Sequence, residues 1–221
     1  MSDLPMNARP GTRSGSESLT ATIDIAFPEY TAPPPDPIAL LHSWLDDAHA
    51  HGVREPRALA LATADTQRRT SLRTVVVNRL TECGLVFTTH RTSRKARELR
   101  ANPWASGLLY WRETSRQVSL GGPVRELSDA DTEALWAERP VFIHAMTTAS
   151  RQSEPLDDVP ALRARAQTLA QAGPQPRPLT YIALELVPRA VEFWANGTDR
   201  LHERLRYDRT PNGWSATRLQ P

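Results

Sequence analysis

The chain has 221 residues, 39% hydrophobic and 24% charged, enough apolar material for one sizeable core. Its 27 Lys and Arg against 25 Asp and Glu leave a formal net charge of +2, and the arginines alternate with acids instead of forming the basic stripe of a nucleic-acid binder. A single cysteine, Cys83, excludes an intrachain disulfide and a cysteine-rich zinc site; no apolar stretch approaches a membrane span and no secretory signal opens the chain, so a cytoplasmic protein is expected.

Residues 1–35 read as a flexible leader, rich in Ser, Thr, Gly and Pro and closing on Ala32-Pro33-Pro34-Pro35. Prolines remove helix donors and hold an extended path, while Ile23, Ile25, Phe27 and Tyr30 are apolar enough to lie on a groove and fold over an active site. Residues 36–221 read as the folded domain. Asp36 caps a helix with Pro37 at its first position; its apolar face is Leu40, Leu41, Trp44, Leu45 and Ala48, and Gly52 ends it. The period then changes. Ala58–Thr63 and Ser71–Leu80 read as strands around a turn, and Leu85–Thr89 follows the Cys83-Gly84 turn. Ser93 caps a short helix, Arg94–Ala101, that stops before Pro103. Trp104–Trp111 and Arg116–Glu126 form another strand pair. Ser128 begins a helix running to Arg139, Asp158–Ala172 is a third long one, and Tyr181–Val187, Val191–Ala195 and Trp214–Arg218 supply the last strands. Strands joined by tight turns with few helices between them predict a mainly β fold with peripheral helices (α+β), an antiparallel sheet closed into a barrel.

The usual catalytic signatures are absent: no glycine-rich phosphate loop, no Gly-x-Ser-x-Gly elbow, no His-Glu-x-x-His helix. The six histidines are scattered, so no metal site is expected. What remains is a set of basic and hydroxyl residues at strand ends and one helix start. Thr88 and Thr89 close a strand, and Ser93, Arg94 and Lys95 open a helix whose amides favour an anion. That tripeptide reads equally as a cap followed by solvated charges. Arg73 heads a neighbouring strand and is placed to reach the same anion. Gln117 stands where a sheet prefers an apolar residue and needs hydrogen-bond partners, which a flavin's pyrimidine edge or plain solvent would satisfy. Alternation puts Arg200, His202 and Arg204 on one face if that segment is a strand, with Trp194 as a ring for a planar anionic ligand; a charged edge strand would carry the same pattern.

Together these stretches resemble the pyridoxamine 5′-phosphate oxidase family of FMN enzymes. The resemblance runs from about Asp36 to Pro221 and is carried by Arg73–Val77, Phe87–Lys95, Arg116-Gln117-Val118, Arg151-Gln152-Ser153, Glu192-Phe193-Trp194 and Arg200–Tyr207. It implies an FMN-binding split β-barrel homodimer with two FMN molecules between subunits. By position, Arg73, Thr89, Ser93, Arg94 and Lys95 would hold the FMN phosphate and ribityl chain, and Thr74, Val75, Val76 and Val77 would offer backbone contacts. Gln117 would bind the isoalloxazine edge, and Gln152, Ser153, Trp194 and Arg204 would come from the partner subunit. At Thr88 the family usually has an aromatic residue, so only its backbone role carries over.

The departures narrow the substrate. Where the vitamin enzyme grips a substrate phosphate with a lysine, a tyrosine, an arginine and a serine, this chain has Asn78, Leu135, Arg139 and Ile143. Only the arginine remains, and a phosphate dianion there would be poorly paired and costly to desolvate. A larger, flatter substrate with one carboxylate fits better. The leader from Ser16 to Tyr30, together with Asn102–Gly107, Tyr110–Ser115 and Ser150–Glu154, is similar to the phenazine-biosynthesis flavin oxidase branch of the family. That branch implies oxidation of dihydro- or tetrahydrophenazine carboxylic acids with O2 as acceptor. Arg139, Arg200 and His202 would then meet the substrate carboxylate or ring nitrogens, with His202 placed for proton movement. The rivals are the vitamin reaction on pyridoxamine or pyridoxine 5′-phosphate, and a flavin-binding split barrel without turnover.

Overall fold

Strand alternation and helix caps in the sequence translate directly into element order. The structure is a computed structural model that describes residues 23, 25–196 and 201–221. Among these, helix α1 (Pro37–Ala50) precedes strands β1 (Ala58–Ala64), β2 (Thr70–Val76), β3 (Arg79–Leu80) and β4 (Leu85–His90). Helix α2 (Arg94–Ala101), strands β5 (Trp104–Trp111) and β6 (Arg116–Glu126), and helices α3 (Asp129–Ala137), α4 (Val141–Ala149) and α5 (Val159–Gln171) follow. Strands β7 (Tyr181–Leu186), β8 (Ala190–Ala195), β9 (Glu203–Thr210) and β10 (Gly213–Leu219) complete the chain. No helix of the described residues is long and apolar enough to cross a membrane.

The strands pair antiparallel in the order β10-β9-β8-β6-β5-β1-β2, while β6 also pairs with β7, β7 with β4, and β4 with β3. The long strand β6 changes partner midway: Arg116–Gly121 faces β8 and Val124–Glu126 faces β7. Gly122 lies at the changeover, where an added Cβ would meet the Val187 carbonyl oxygen at 2.2 Å; only glycine permits that approach. The circuit β2-β1-β5-β6-β7-β4 almost closes. Its end strands, β2 and β4, lie close without a hydrogen-bonded ladder, so the fold is an α+β barrel split along one seam.

Period-2 burial fills its interior. Leu59 and Leu61 of β1, Leu109 and Trp111 of β5, and Val118 and Leu120 of β6 are buried. Helix α1 closes one end. Asp36 accepts the Ile38 N–H at 2.9 Å, a cap worth about 1 kcal/mol, and Trp44 packs edge-on against Phe193 and Phe27. The outward face of the same strands carries Ala58, Ala60 and Ala62 beside the exposed Leu72, Val76, Trp104 and Tyr110, an apolar surface of a kind that marks an interface.

Three expectations need correction. Ser71–Leu80 is not one strand. It breaks at Val77 and Asn78, whose N–H groups turn to the Arg57 and Val86 carbonyls at 2.9 and 2.8 Å as the chain crosses the seam. The helix after Ser128 ends at Ala137, and α4 follows separately because Pro140 lacks the amide needed to continue it. Strand β9 begins at Glu203, so the strand alternation proposed for Arg200, His202 and Arg204 does not apply; Arg200 lies outside the described residues.

Candidate functional site

Because β2 and β4 share no ladder, their facing edges and the start of α2 leave a cavity of about 550 Å³ between them. Its walls come from Thr74, Val75 and Val76 of β2, Thr88, Thr89 and His90 of β4, Lys95 of α2, and Leu135, Arg139, Ile143 and Met146 around α3 and α4. Asn78 and Gln152 also line it. Thus the split and the two helices after β6 form one pocket with two chemically different ends.

One end is a fixed polar cluster. Ser93 caps α2 by accepting the Ala96 N–H at 3.3 Å. The Lys95 ammonium, only 8% exposed, donates to the Thr89 hydroxyl at 3.0 Å, and that hydroxyl donates to Gln152 Oε1 at 2.9 Å. Gln152 Oε1 also accepts the His90 N–H at 3.3 Å, and Ser153 Oγ accepts the Arg94 N–H at 3.1 Å. Ser153 adopts a positive φ of 71°, an uncommon geometry for a residue with a side chain. Among the described residues Lys95 has no recorded carboxylate partner. Burial, with the Arg73 guanidinium adding to it, pushes its pKa down to about 8. A buried cation in this state fits a bound anion.

Behind Lys95 lies Glu98, 6% exposed. Its carboxylate accepts from Ser71 at 2.6 Å, from Thr63, and from Arg94 Nε at 2.8 Å, and lies 3.4 Å from Arg73 Nη2. Burial opposes ionisation, but the donors from Ser71, Thr63 and Arg94 prevail and hold its pKa at about 2. Arg73 is therefore turned inward, also donating to the Leu61 carbonyl, Thr63 Oγ1 and Ser71.

The other end has one cation among apolar groups. Arg139 donates to the Tyr181 hydroxyl at 3.0 Å and to Thr147 Oγ1 at 3.3 Å, and its guanidinium lies over the Tyr181 and Trp136 rings at 5.1 and 5.7 Å. Its Nε is buried without a hydrogen-bond partner. Leu135 and Ile143 supply alkyl surface beside it. His90 is buried between the two ends; burial, then the charges of Arg139 and Lys95, lower its pKa, so the imidazole is neutral near pH 7.

The remaining expected site residues form a second group. Gln117, Trp194 and Arg204 are consecutive cross-strand partners on β6, β8 and β9, separated from β2 by β5 and β1. Trp194 lies 4.8 Å from His202, ring to ring. His202 has a buried Nδ1 without a partner and lines a cavity of about 790 Å³ with Phe27, Tyr30 and the C-terminal Arg218–Pro221. Residues 26–34 are pinned beside this cavity: Arg116 donates to the Ala26 carbonyl at 2.6 Å, Arg218 to those of Tyr30 and Thr31 at 2.8 and 3.1 Å, and the Tyr207 hydroxyl to that of Pro34 at 3.1 Å.

This partition changes several assignments. Gln152 and Ser153 join the Lys95 cluster of their own chain instead of travelling with Trp194 and Arg204, and it is Gln117 that travels with those two. Val77 leaves the wall: its side chain is in the core and its amide is bound to Arg57. Arg204 is ion-paired to Glu192 at 2.8 Å. Glu98, His90 and the α4 residues Met146 and Thr147 were not expected. The i,i+4 spacing of Arg94 and Glu98 was legible as an ion pair; the role of α4 depended on a helix break that the periodicity hid.

Comparison with known proteins places this geometry. Residues 45–173 match the family model described as "Pyridoxamine 5'-phosphate oxidase", and residues 181–221 match "Pyridoxine 5'-phosphate oxidase C-terminal dimerisation region". A dihydrophenazinedicarboxylate synthase of Pseudomonas chlororaphis is 55% identical over 207 residues, covering 93% of both chains. One from Burkholderia lata is 49% identical over 206 residues, covering 93% of this chain and 97% of the relative. The crystal structure of PhzG from Burkholderia lata 383 in complex with tetrahydrophenazine-1-carboxylic acid superposes with a TM-score of 0.88 at 48% identity, covering 91% of this chain and 100% of that one.

Proposed function

The chain belongs to the pyridoxamine 5′-phosphate oxidase family, in its phenazine-biosynthesis branch, and from that premise we propose that it is an FMN-dependent oxidase of reduced phenazine carboxylic acids. The observation that carries this reading is the pairing of unlike ends in one cavity. A buried lysine without a recorded carboxylate partner faces a single arginine set among alkyl and aromatic groups. The first end suits a phosphate and the second a flat ring bearing one carboxylate.

In this reading Lys95, Arg94 and the α2 N-terminus hold the FMN phosphate, and Thr74–Val76 border its ribityl chain. Gln117, Trp194 and Arg204 belong to the half supplied by a second copy. Two copies meeting across the apolar outer face, with the matched C-terminal dimerisation region contributing, unite the two halves in a homodimer. FMN would supply a two-electron acceptor at its N5 and pass the electrons to O2. Arg139 orients the substrate through its carboxylate. Leu135, Ile143 and Met146 exclude water from the ring and disfavour a second phosphate. The substrate ring gains aromaticity as it loses hydride, so positioning dominates over acid–base chemistry. His202, beside Trp194, is placed to take the ring N–H proton, with Arg200 near it in sequence. Ile25, Ala26, Phe27 and Tyr30 of the leader act as a wall on the His202 side.

Anaerobic mixing of FMN-loaded protein with reduced phenazine-1-carboxylate is the direct test, read as loss of flavin absorbance. Bleaching is expected with the phenazine and not with pyridoxamine 5′-phosphate. The reverse result would assign the vitamin reaction. A yellow protein bleached by neither would be a flavin carrier.

A further inference from the structure

The phosphate end of the cavity has a charge balance that the cradle residues alone do not explain. The charge of Arg94 lowers the proton affinity of Arg73, and that of Arg73 lowers the proton affinity of Lys95, so these cations lie close enough to repel. Among the described residues Glu98 is the one carboxylate ion-paired within this cluster: its Oε1 takes Arg94 Nε at 2.8 Å, and its Oε2 lies 3.4 Å from Arg73 Nη2. Three positive charges and one negative leave a net charge of about +2, matching the roughly −1.5 to −2 of a phosphomonoester at neutral pH. The same carboxylate is anchored by Ser71 and Thr63 on two different strands, so it ties the second turn of α2, and through Arg94 the first, to β1 and β2.

We propose that Glu98 is a positioning residue of the phosphate cradle. Its carboxylate splints Arg73 and Arg94, fixes the start of α2 against the seam, and holds Arg94 beside Lys95 at the cofactor phosphate. This role rests on the FMN reading above. It predicts the opposite of simple electrostatics, because removing an anion beside a phosphate site should by Coulomb attraction tighten phosphate binding. If Glu98 acts as a splint, removing it weakens binding: the two guanidiniums separate and the helix start loses its anchor.

The test is titration of full-length apoprotein with FMN and, separately, with riboflavin, which has the ring and ribityl chain but no phosphate. Wild type is compared with Glu98→Gln, Glu98→Ala, Glu98→Asp and Ser71→Ala. Expected are FMN affinities at least ten-fold weaker in Glu98→Gln and Glu98→Ala, partial recovery in Glu98→Asp, and a few-fold loss in Ser71→Ala. Riboflavin affinity should change less than two-fold throughout. Ser71→Ala removes one of the donors to the carboxylate while leaving the ion pairs, so it carries the test if the Glu98 variants do not fold. Unchanged or tighter FMN binding in the variants would overturn the role, and so would an equal loss of riboflavin binding, which would make Glu98 a general support of the fold. Wild-type protein that takes up neither flavin would overturn the FMN reading, and the splint with it.

Discussion

The two ends of the seam cavity are built on opposite principles. At the Lys95 end almost every polar atom is already engaged. Ser93, Thr89, Gln152 and Ser153 hold one another and the first turn of α2 in place before any ligand arrives. At the Arg139 end one guanidinium stands over two rings with a buried Nε unused, and Leu135, Ile143 and Met146 supply an alkyl wall beside it. A preorganised network suits a constant ligand fragment, because little ordering remains to oppose binding. An end with one cation beside an alkyl wall suits selection by shape, because an apolar wall discriminates by what it cannot solvate. Under the proposed function, affinity resides at one end and substrate choice at the other.

That division can be broken by removing each cation in turn. Lys95→Met should weaken FMN binding by about 100-fold, roughly 2.7 kcal/mol and within the range for a hydrogen bond to a charged group, as read by flavin titration. With FMN in saturating excess its KM for the reduced phenazine should stay within two-fold. Arg139→Leu should do the converse: kcat/KM for the phenazine falls about 30-fold, while the FMN dissociation constant stays within two-fold. A variant in which both constants move together would show that the two ends are one cooperative site.

A smaller effect sharpens the comparison. The triple change Asn78→Lys, Leu135→Tyr and Ile143→Ser restores an ammonium and two hydroxyls around Arg139. It should raise kcat/KM for pyridoxamine 5′-phosphate by about ten-fold, a modest gain for new charge-assisted bonds whose geometry is not optimised. FMN content should not change.

The smallest effect is a dependence of apoprotein stability on pH. The Lys95 pKa is about 8 in the folded chain, below its ordinary 10.5. Between those values the unfolded chain binds more protons, so stability rises with pH across that window and is lost as pH falls through 8. Thermal melts of apoprotein should show wild type gaining a few degrees on Lys95→Met between pH 7 and pH 10. A constant difference would mean that the ammonium is better solvated than its 8% exposure implies.

Local chemistry made much of this protein legible in one dimension. The runs Ala58–Thr63 and Arg116–Glu126 read as strands, because β-forming residues between turn signals mark a strand whatever the fold. Asp36-Pro37 and Ser93 marked helix starts, because a cap acts on amides two or three residues away. The resemblance carried by Arg73–Val77 and Phe87–Lys95 led to the family and to a split barrel. Tertiary structure decided the rest. The break at Val77-Asn78 depends on carbonyls of Arg57 and Val86, which lie on other parts of the chain. The separation of Gln117, Trp194 and Arg204 from Gln152 and Ser153 depends on strand order. Glu98 became a cradle residue only when β1 and β2 brought Thr63 and Ser71 to it. Hydrogen-bond partners set by distant segments have no local signature, whereas periodicity and capping arise within a few residues of one another.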